Sequence, residues 1–186
     1  MTIDKIYRHV TGYGPTGEAI FTVSGAVEAD EVAFQPGTRF WRLWGTDDDG
    51  AVVGANSDPV ITPFFPGGHG TRFMVVQHPP DTPEAWQEAR GHDELEALRR
   101  DAEERLPGLF DAHATTEGTT ATHGTDTVDY ILVLEGELHL ELDEGREVIL
   151  RPGHFVVQRG TRHRWINKSN RPATTVGVQI AARRLC

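Results

Sequence analysis

The chain has 186 residues, of which 38% are hydrophobic and 25% charged, a composition that suits one globular domain with a core and one appendage. Its net charge of −10 argues against a nucleic-acid partner, because phosphate binding needs a clustered basic surface. We see no apolar stretch long enough for a membrane span, no apolar core of a signal peptide and a single cysteine, Cys186, so we expect a cytoplasmic protein with no membrane partner.

Residues 1–80 have the pattern of β-strands that pack on a larger barrel. Segments 5–11 and 18–24 flank the sequence GYGPTG, which is typical of a hairpin turn. Aromatic residues at 40–44 indicate a third strand, and the run at 72–77 indicates a fourth, which Pro79 and Pro80 would end.

Residues 81–113 are predicted to be helical. Thr82, Pro83 and an acid in the first turn favour a helix start there, and Asp93 is in a position to cap a second helix. An apolar stripe at helical spacing predicts the buried face of the second helix: Leu95, Leu98, Ala102 and Leu106. Residues 114–122 are interpreted as a polar linker.

Residues 114–186 are predicted to hold the core of a β-barrel. From residue 127, two alternating runs surround Gly136 and a turn follows at 143–145. Glycine, proline and asparagine divide the remainder into short strands, a spacing typical of a sandwich or barrel.

Side chains at alternate positions of a strand share one face. At odd positions this face carries His123, Thr125, Asp129, Ile131 and Val133. A histidine and an aspartate that lead into aliphatic residues are expected where a polar mouth opens above an apolar interior.

Two stretches resemble the paired motifs of the cupin superfamily. In HGTDTVDYILVLEGE, counting back from Gly136 places Asp129 at the family's Glu position, and Thr125 and His123 at the two positions of its His-x-His. In LRPGHFVVQRGTRHRWIN, Gln158 stands at the family's Pro position, and the residues that match the motif outright include Gly160, His163 and Asn167.

The resemblance implies an all-β fold: a cupin-type β-barrel (double-stranded β-helix, or jelly roll) with N-terminal augmenting strands and a short helical segment. It also implies a metal site formed by His123, Asp129 and His163, in which Thr125 replaces a usual histidine ligand and Asp129 a glutamate. Two imidazoles and one carboxylate admit a divalent ion such as Fe, Mn, Zn, Ni or Co.

The function we expect is that of a metal-dependent enzyme acting on a small organic molecule, of lyase or isomerase type (dehydration, decarboxylation or enolisation). Asp126 is expected to be the proton-transfer group or an additional metal ligand, and Thr125, Gln158 and Trp165 are the expected substrate-binding residues. A non-haem Fe(II) dioxygenase and a non-catalytic small-ligand-binding cupin are the alternatives. By analogy with many cupins, we expect a homodimer.

Each site residue also has a structural interpretation. His123 would then belong to a turn, Asp129 would buttress a bend, and His163 would be buried with its hydrogen bonds satisfied by the backbone. The other histidines are expected at the surface or in packing, with His139 on a solvent face that it shares with Glu137.

Overall fold

The computed structural model describes residues 3–54, 56, 58–82, 91–114 and 120–185. Within them, no helix has both the length and the apolar character needed to cross a membrane. The elements in chain order are β1 Ile6–Tyr13, β2 Ala19–Val27, β3 Arg39–Thr46, β4 Thr71–His78, α1 His92–Arg105, α2 Leu109–His113, β5 Thr127–Glu135, β6 Leu138–Glu141, a 3₁₀ turn Asp143–Gly145, β7 Glu147–Leu150, β8 Phe155–Arg159, β9 Arg164–Ile166 and β10 Ala173–Ala181.

Two antiparallel sheets form the barrel. One has the strand order β3-β4-β10-β5-β8 and the other β7-β6-β9. Both sheets contribute to one apolar cluster, composed of Val133, Leu138, Leu140, Leu150 and Ala173. The predicted all-β barrel is therefore confirmed.

The N-terminal strands extend this barrel. β4 pairs with β10 from His78 opposite Ala173 to Thr71 opposite Ile180, so that β3 and β4 belong to the larger sheet. β1 and β2 form the predicted hairpin as a separate two-stranded sheet. The division of the chain at residues 80 and 113 remains a prediction.

The helices cover β3 and β4. Leu98, Ala102 and Leu106 of the predicted stripe are buried in a cluster that also contains Phe40 and Met74 of the sheet. The role predicted for Asp93 is wrong, because the N-cap of α1 lies two residues earlier: it is Gly91, without a side-chain hydrogen bond, and Asp93 lies in the first turn. The helix predicted from Pro83 lies outside the described residues.

The exposure predicted for His139 is also wrong. Its side chain is buried, with Nδ1 2.8 Å from a carboxylate oxygen of Glu147 and Nε2 3.5 Å from one of Glu137. β6 is the central strand of its sheet, so neighbouring side chains cover its outer face.

Candidate metal and substrate site

A cavity of about 150 Å³ lies against one face of the five-stranded sheet, beside α2. Its wall combines apolar side chains with several titratable ones. Among the lining residues are Phe40, Met74, His123, Asp129, His163 and Trp165. The face predicted from alternation along β5 therefore does line a cavity, since Thr125 and Ile131 belong to the same wall.

Backbone pairing brings His123 and His163 together. The amide of each donates to the carbonyl of the other, at 3.0 and 2.9 Å. This isolated bridge lies just before β5 and just before β9, and it connects segments 40 residues apart in sequence. The two imidazole rings consequently lie side by side, with centroids 4.4 Å apart and planes inclined by 51°.

The hydrogen bonds of these histidines determine their tautomers. Nδ1 of His123 lies 3.2 Å from the carbonyl oxygen of Ala121, and Nδ1 of His163 lies 2.9 Å from that of Thr161. A carbonyl oxygen only accepts, so we assign the hydrogen to Nδ1 in both rings. Each Nε2 then carries a lone pair, the form in which imidazole binds a metal.

The hydrogen bonds of Gln158 are consistent with a hydrogen on Nδ1 of His163. Its amide nitrogen donates to the carbonyl oxygen of Thr161 at 2.9 Å and to the hydroxyl at 2.6 Å, so neither hydrogen remains for Nδ1 of His163, 2.9 Å away. Gln158 is buried and is not among the described residues that line the cavity. Its amide is used to hold the loop that precedes β9, and the substrate contact predicted for it remains a prediction.

Asp129 is buried on the central part of the sheet, opposite Gln179 of β10 and Gln158 of β8. Burial raises the pKa of its carboxyl to about 6, against the opposing effect of the Thr127 hydroxyl. Its Oδ1 has no hydrogen-bond partner among the described residues, and neither has Oε1 of Gln179. Two buried acceptors on adjacent strands thus face a cavity that both residues line. A cation or a hydrogen-bond donor would satisfy them.

Sequence reasoning missed His113. This histidine is the last residue of α2, is 4% exposed and lines the cavity. Its ring centroid lies 4.2 Å from that of His123. The available signal was helical spacing, because Leu109 and His113 stand four residues apart and therefore on one face of the helix. The linker interpretation of residues 114–122 concealed it, although Thr120 and Ala121 accept hydrogen bonds from site histidines.

Burial keeps these imidazoles neutral. It lowers the pKa of His113 to about 4 and that of His163 below its usual range. It lowers the pKa of His123 to about 2, with further contributions from the neighbouring His113 and His163. At neutral pH all three rings are uncharged.

The cavity-facing position predicted for Asp126 is wrong. Its side chain is exposed, accepts a 2.7 Å hydrogen bond from Arg184, and lies outside the set of described cavity-lining residues. The alternation of β5 already holds at Thr125 and Thr127, which are buried, so Asp126 between them points outwards. From this exposed position Asp126 does not reach the cavity, so the structure gives no support to its predicted role in proton transfer.

Two predicted substrate-binding residues do line the cavity. Thr125 is buried and its hydroxyl lies 2.7 Å from that of Thr127. Trp165 meets the ring of His163 edge to face, with centroids 5.9 Å apart. Their contact with a substrate remains a prediction.

The types of side chain at this site suit a divalent metal ion, but the side chains are not placed to hold one. Within the part of the chain that the structure describes, no three His, Cys, Asp or Glu side chains are disposed to hold an ion as they stand. The rings lie side by side, inclined by 48° and 51°. Imidazole lone pairs and a partnerless carboxylate oxygen are the donors such an ion requires.

Comparison with known proteins gives short, strong sequence matches. The phomopsin biosynthesis cluster protein C' of Diaporthe leptostromiformis is 47% identical over 53 residues, which cover 28% of this chain and 28% of that protein. The cupin-domain-containing oxidoreductase fogC of Aspergillus ruber is 49% identical over 45 residues, covering 24% of this chain and 22% of that protein. These matches therefore span less than a third of the relatives' own length.

Among solved structures, the polyketide cyclase RemF from Streptomyces resistomycificus aligns with a TM-score of 0.46 and 17% identity, covering 86% of this chain and 77% of that one. The family model described as "Cupin domain" matches residues 110–178, the region that contains both motifs and all four of His113, His123, Asp129 and His163. Residues 110–178 of this chain are a cupin domain.

Proposed function

We propose that this protein is a metal-dependent cupin enzyme that acts on a small organic molecule, with a reaction of lyase or isomerase type. The observation that carries the proposal is the buried carboxylate oxygen of Asp129, which has no partner in the described structure and shares its cavity with two neutral imidazoles. Burying a carboxylate without a partner is costly, so its retention beside such donors favours a bound cation.

His123, His163 and Asp129 would hold the metal. A bound divalent ion would supply a Lewis acid that polarises a substrate oxygen. The backbone carbonyls of Ala121 and Thr161 orient the two imidazoles through Nδ1, as outer partners of metal ligands commonly do.

The rest of the cavity would bind the substrate. Phe40, Met74 and Trp165 supply an apolar wall, while Oε1 of Gln179 is an acceptor for a hydroxyl or N–H group. His78 also lines the cavity, and burial lowers its pKa to about 4, so we assign this neutral imidazole to hydrogen bonding with the substrate. The substrate class is a small molecule with an apolar body and a donor group.

Oxidation is a second candidate reaction. Cupin-domain-containing oxidoreductases of Aspergillus ruber and Neurospora crassa are among the relatives that match this chain. Two imidazoles and a carboxylate also suit Fe(II) with open coordination positions. Nitric oxide, added without oxygen to the Fe(II)-loaded protein, tests for such an open position by electron paramagnetic resonance, and oxygen uptake then separates oxidation from non-redox chemistry.

Metal binding tests the proposal directly. Equilibrium dialysis against Zn²⁺, Mn²⁺, Fe²⁺, Co²⁺ and Ni²⁺ should give one bound ion per chain for at least one of these metals. His163→Ala and Asp129→Asn should each weaken binding by about tenfold or more. His154→Ala, an exposed histidine, is the matched control and should bind as the unmodified protein does. If the unmodified protein binds none of the five ions, the enzyme proposal fails in favour of a ligand-binding cupin.

A homodimer is also proposed, through the β1–β2 hairpin. Tyr7, Tyr13 and Phe21 of this hairpin are more than half exposed. Sedimentation analysis of the unmodified protein and of Phe21→Ser tests it: the substitution should shift the population towards monomer. Val53→Ser, at a highly exposed loop position, should leave it unchanged. A monomeric unmodified protein would exclude this partner.

A further inference from the structure

We infer that Gly177 and Gln179 of β10 recognise the substrate, and that the substrate is a single planar ring with an uncharged hydroxyl group. Gly177 leaves room for the ring, and Oε1 of Gln179 accepts a hydrogen bond from the hydroxyl group. The inference rests on the proposed function, because it names the substrate class for the same cavity. It requires no bound metal, so the metal-free protein can be used to test it.

Both residues lie on the cavity face of β10, the central strand of the five-stranded sheet. Alternate positions of a strand share one face, and Gly177 and Gln179 both line the cavity. On the neighbouring strand β5, Gln179 pairs with Asp129 and Gly177 pairs with Ile131. The polar and apolar parts of the cavity therefore meet between these two positions of β10.

Gly177 leaves a gap in the cavity wall. Its neighbours across the sheet are Met74 of β4 and Ile131 of β5, and both line the cavity. A glycine inside a strand weakens the strand, and such a position often marks the close approach of a ligand. Phe40 and Phe64 of the same wall meet edge to face, with centroids 5.5 Å apart. A wall of apolar and aromatic side chains beside a side-chain-free position suits a planar ring.

The size of the cavity suits one ring. Its volume is about 150 Å³, and an apolar cavity of about this volume can hold one benzene molecule. Residues two positions apart on one face of a strand are separated by about 7 Å. A ring that lies over Gly177 can thus direct a hydroxyl group at Gln179 through a hydrogen bond of about 2.8 Å.

Gln179 supplies an acceptor for this hydroxyl group. Its Oε1 is buried and has no hydrogen-bond partner among the described residues, and the same is true of Oδ1 of Asp129 on the adjacent strand. A buried acceptor without a partner costs free energy, and a donor on the ligand would remove that cost. An anionic group at this end of the cavity would be repelled by the Asp129 carboxylate. The ligand therefore carries an uncharged donor here.

Close packing is the competing explanation for Gly177. A Cβ atom at this position would lie 3.2 Å from Cγ1 of Ile131 and 3.2 Å from the carbonyl oxygen of Tyr130, which is tight. Packing would account for the glycine, but it leaves the partnerless Oε1 of Gln179 unexplained, since an apolar side chain would pack equally well. The two residues are therefore tested separately.

Three probes of similar size test the role of Gln179: phenol, toluene and cyclohexanol. Isothermal titration calorimetry with a chelator present measures their affinities for the metal-free protein. The ratio of phenol affinity to toluene affinity should fall about fivefold or more in Gln179→Met, which keeps the length of the side chain but lacks the acceptor. Gln77→Met is the matched control, because Gln77 is buried but is not among the described residues that line the cavity, and it should keep the ratio.

The role of Gly177 is tested by the space it leaves. Phenol should bind about threefold or more tightly than cyclohexanol, whose ring is not planar. Gly177→Ala should weaken the binding of phenol and toluene alike by about fivefold or more, because the added methyl group occupies the place of the ring. Gly25→Ala, where a Cβ atom would meet nothing within 4 Å, is the matched control and should bind both probes as the unmodified protein does.

Each outcome decides one part of the inference. If the unmodified protein binds neither phenol nor toluene, the substrate class is wrong. If Gln179→Met keeps the affinity ratio, Gln179 does not recognise the hydroxyl group. If a folded Gly177→Ala protein binds both rings unchanged, the glycine serves packing alone; the cyclohexanol comparison tests the same space where that variant does not fold. Metal binding is measured separately by dialysis, so failure of ring recognition leaves the proposed metal site standing.

Discussion

Strand β5 carries two kinds of buried residue on one face. Val133 is 1% exposed and belongs to the apolar cluster that joins the two sheets. Asp129, four residues earlier, is 6% exposed and has a carboxylate oxygen with no partner in the described structure. The two side chains are almost equally buried, but one is apolar and packed whereas the other has a polar atom without a partner. One end of the strand is packed for stability, whereas the other holds a buried oxygen that a cation or a hydrogen-bond donor would satisfy.

The largest effect on stability is expected when a carboxylate is introduced at the packed end of β5. Val133→Asp would bury a carboxylate in an apolar cluster and should cost more than about 4 kcal/mol, enough to unfold many domains of this size. Urea unfolding followed by circular dichroism measures the loss. Val133→Ala is the matched control and should cost about 1 to 3 kcal/mol through the cavity it creates. A folded Val133→Asp protein with little loss of stability would show that this end is not tightly packed.

The reverse experiment removes the charge from the cavity end. Burial raises the pKa of Asp129 to about 6, above its unfolded value of 3.8, so its ionisation opposes folding of the metal-free protein as pH rises through 6. Asp129→Asn should therefore stabilise the metal-free protein at pH 8 by up to about 3 kcal/mol. The gain should fall below about 1 kcal/mol at pH 4 and vanish below about pH 3, where the carboxyl is protonated in both the folded and the unfolded chain. Chemical unfolding with a chelator at pH 4 and pH 8 tests this, and a gain equal at both pH values would contradict it.

His78 should show the opposite dependence on pH. Burial lowers its pKa from 6.5 to about 4, so the unfolded chain takes up a proton before the folded one does. The stability that this histidine contributes is present above pH 6.5 and is lost as pH falls from 6.5 towards 4. Unfolding curves at pH 7 and pH 4.5 should therefore differ by about 2 kcal/mol less in His78→Gln than in the unmodified protein. An unchanged difference would place the acid sensitivity elsewhere.

The contrast along β5 also shows what the sequence could predict. Alternation is a local property of a strand, so the order of residues alone is enough to put Asp129 and Val133 on one face. Motif spacing paired His123 with His163. His113 escaped because helical spacing puts it on the same face of α2 as Leu109 but does not say where that face packs against the sheet. Gln158 stands at a motif position that the family fills with Pro, so the motif says nothing of its amide contacts, which are decided by the loop around Thr161.

The smallest effect is expected at Asp126, and it sharpens the comparison because this carboxylate lies on the opposite face from Asp129. Asp126 is exposed and its ion pair with Arg184 is solvated, so Asp126→Asn should change stability by less than about 1 kcal/mol. Metal affinity should not change, in contrast to Asp129→Asn, and added salt should remove the small stability difference. Thermal unfolding at low and high salt, together with dialysis against the same metal ions, measures both properties. Loss of metal binding in Asp126→Asn would return this residue to the site and overturn the assignment made from its exposed position.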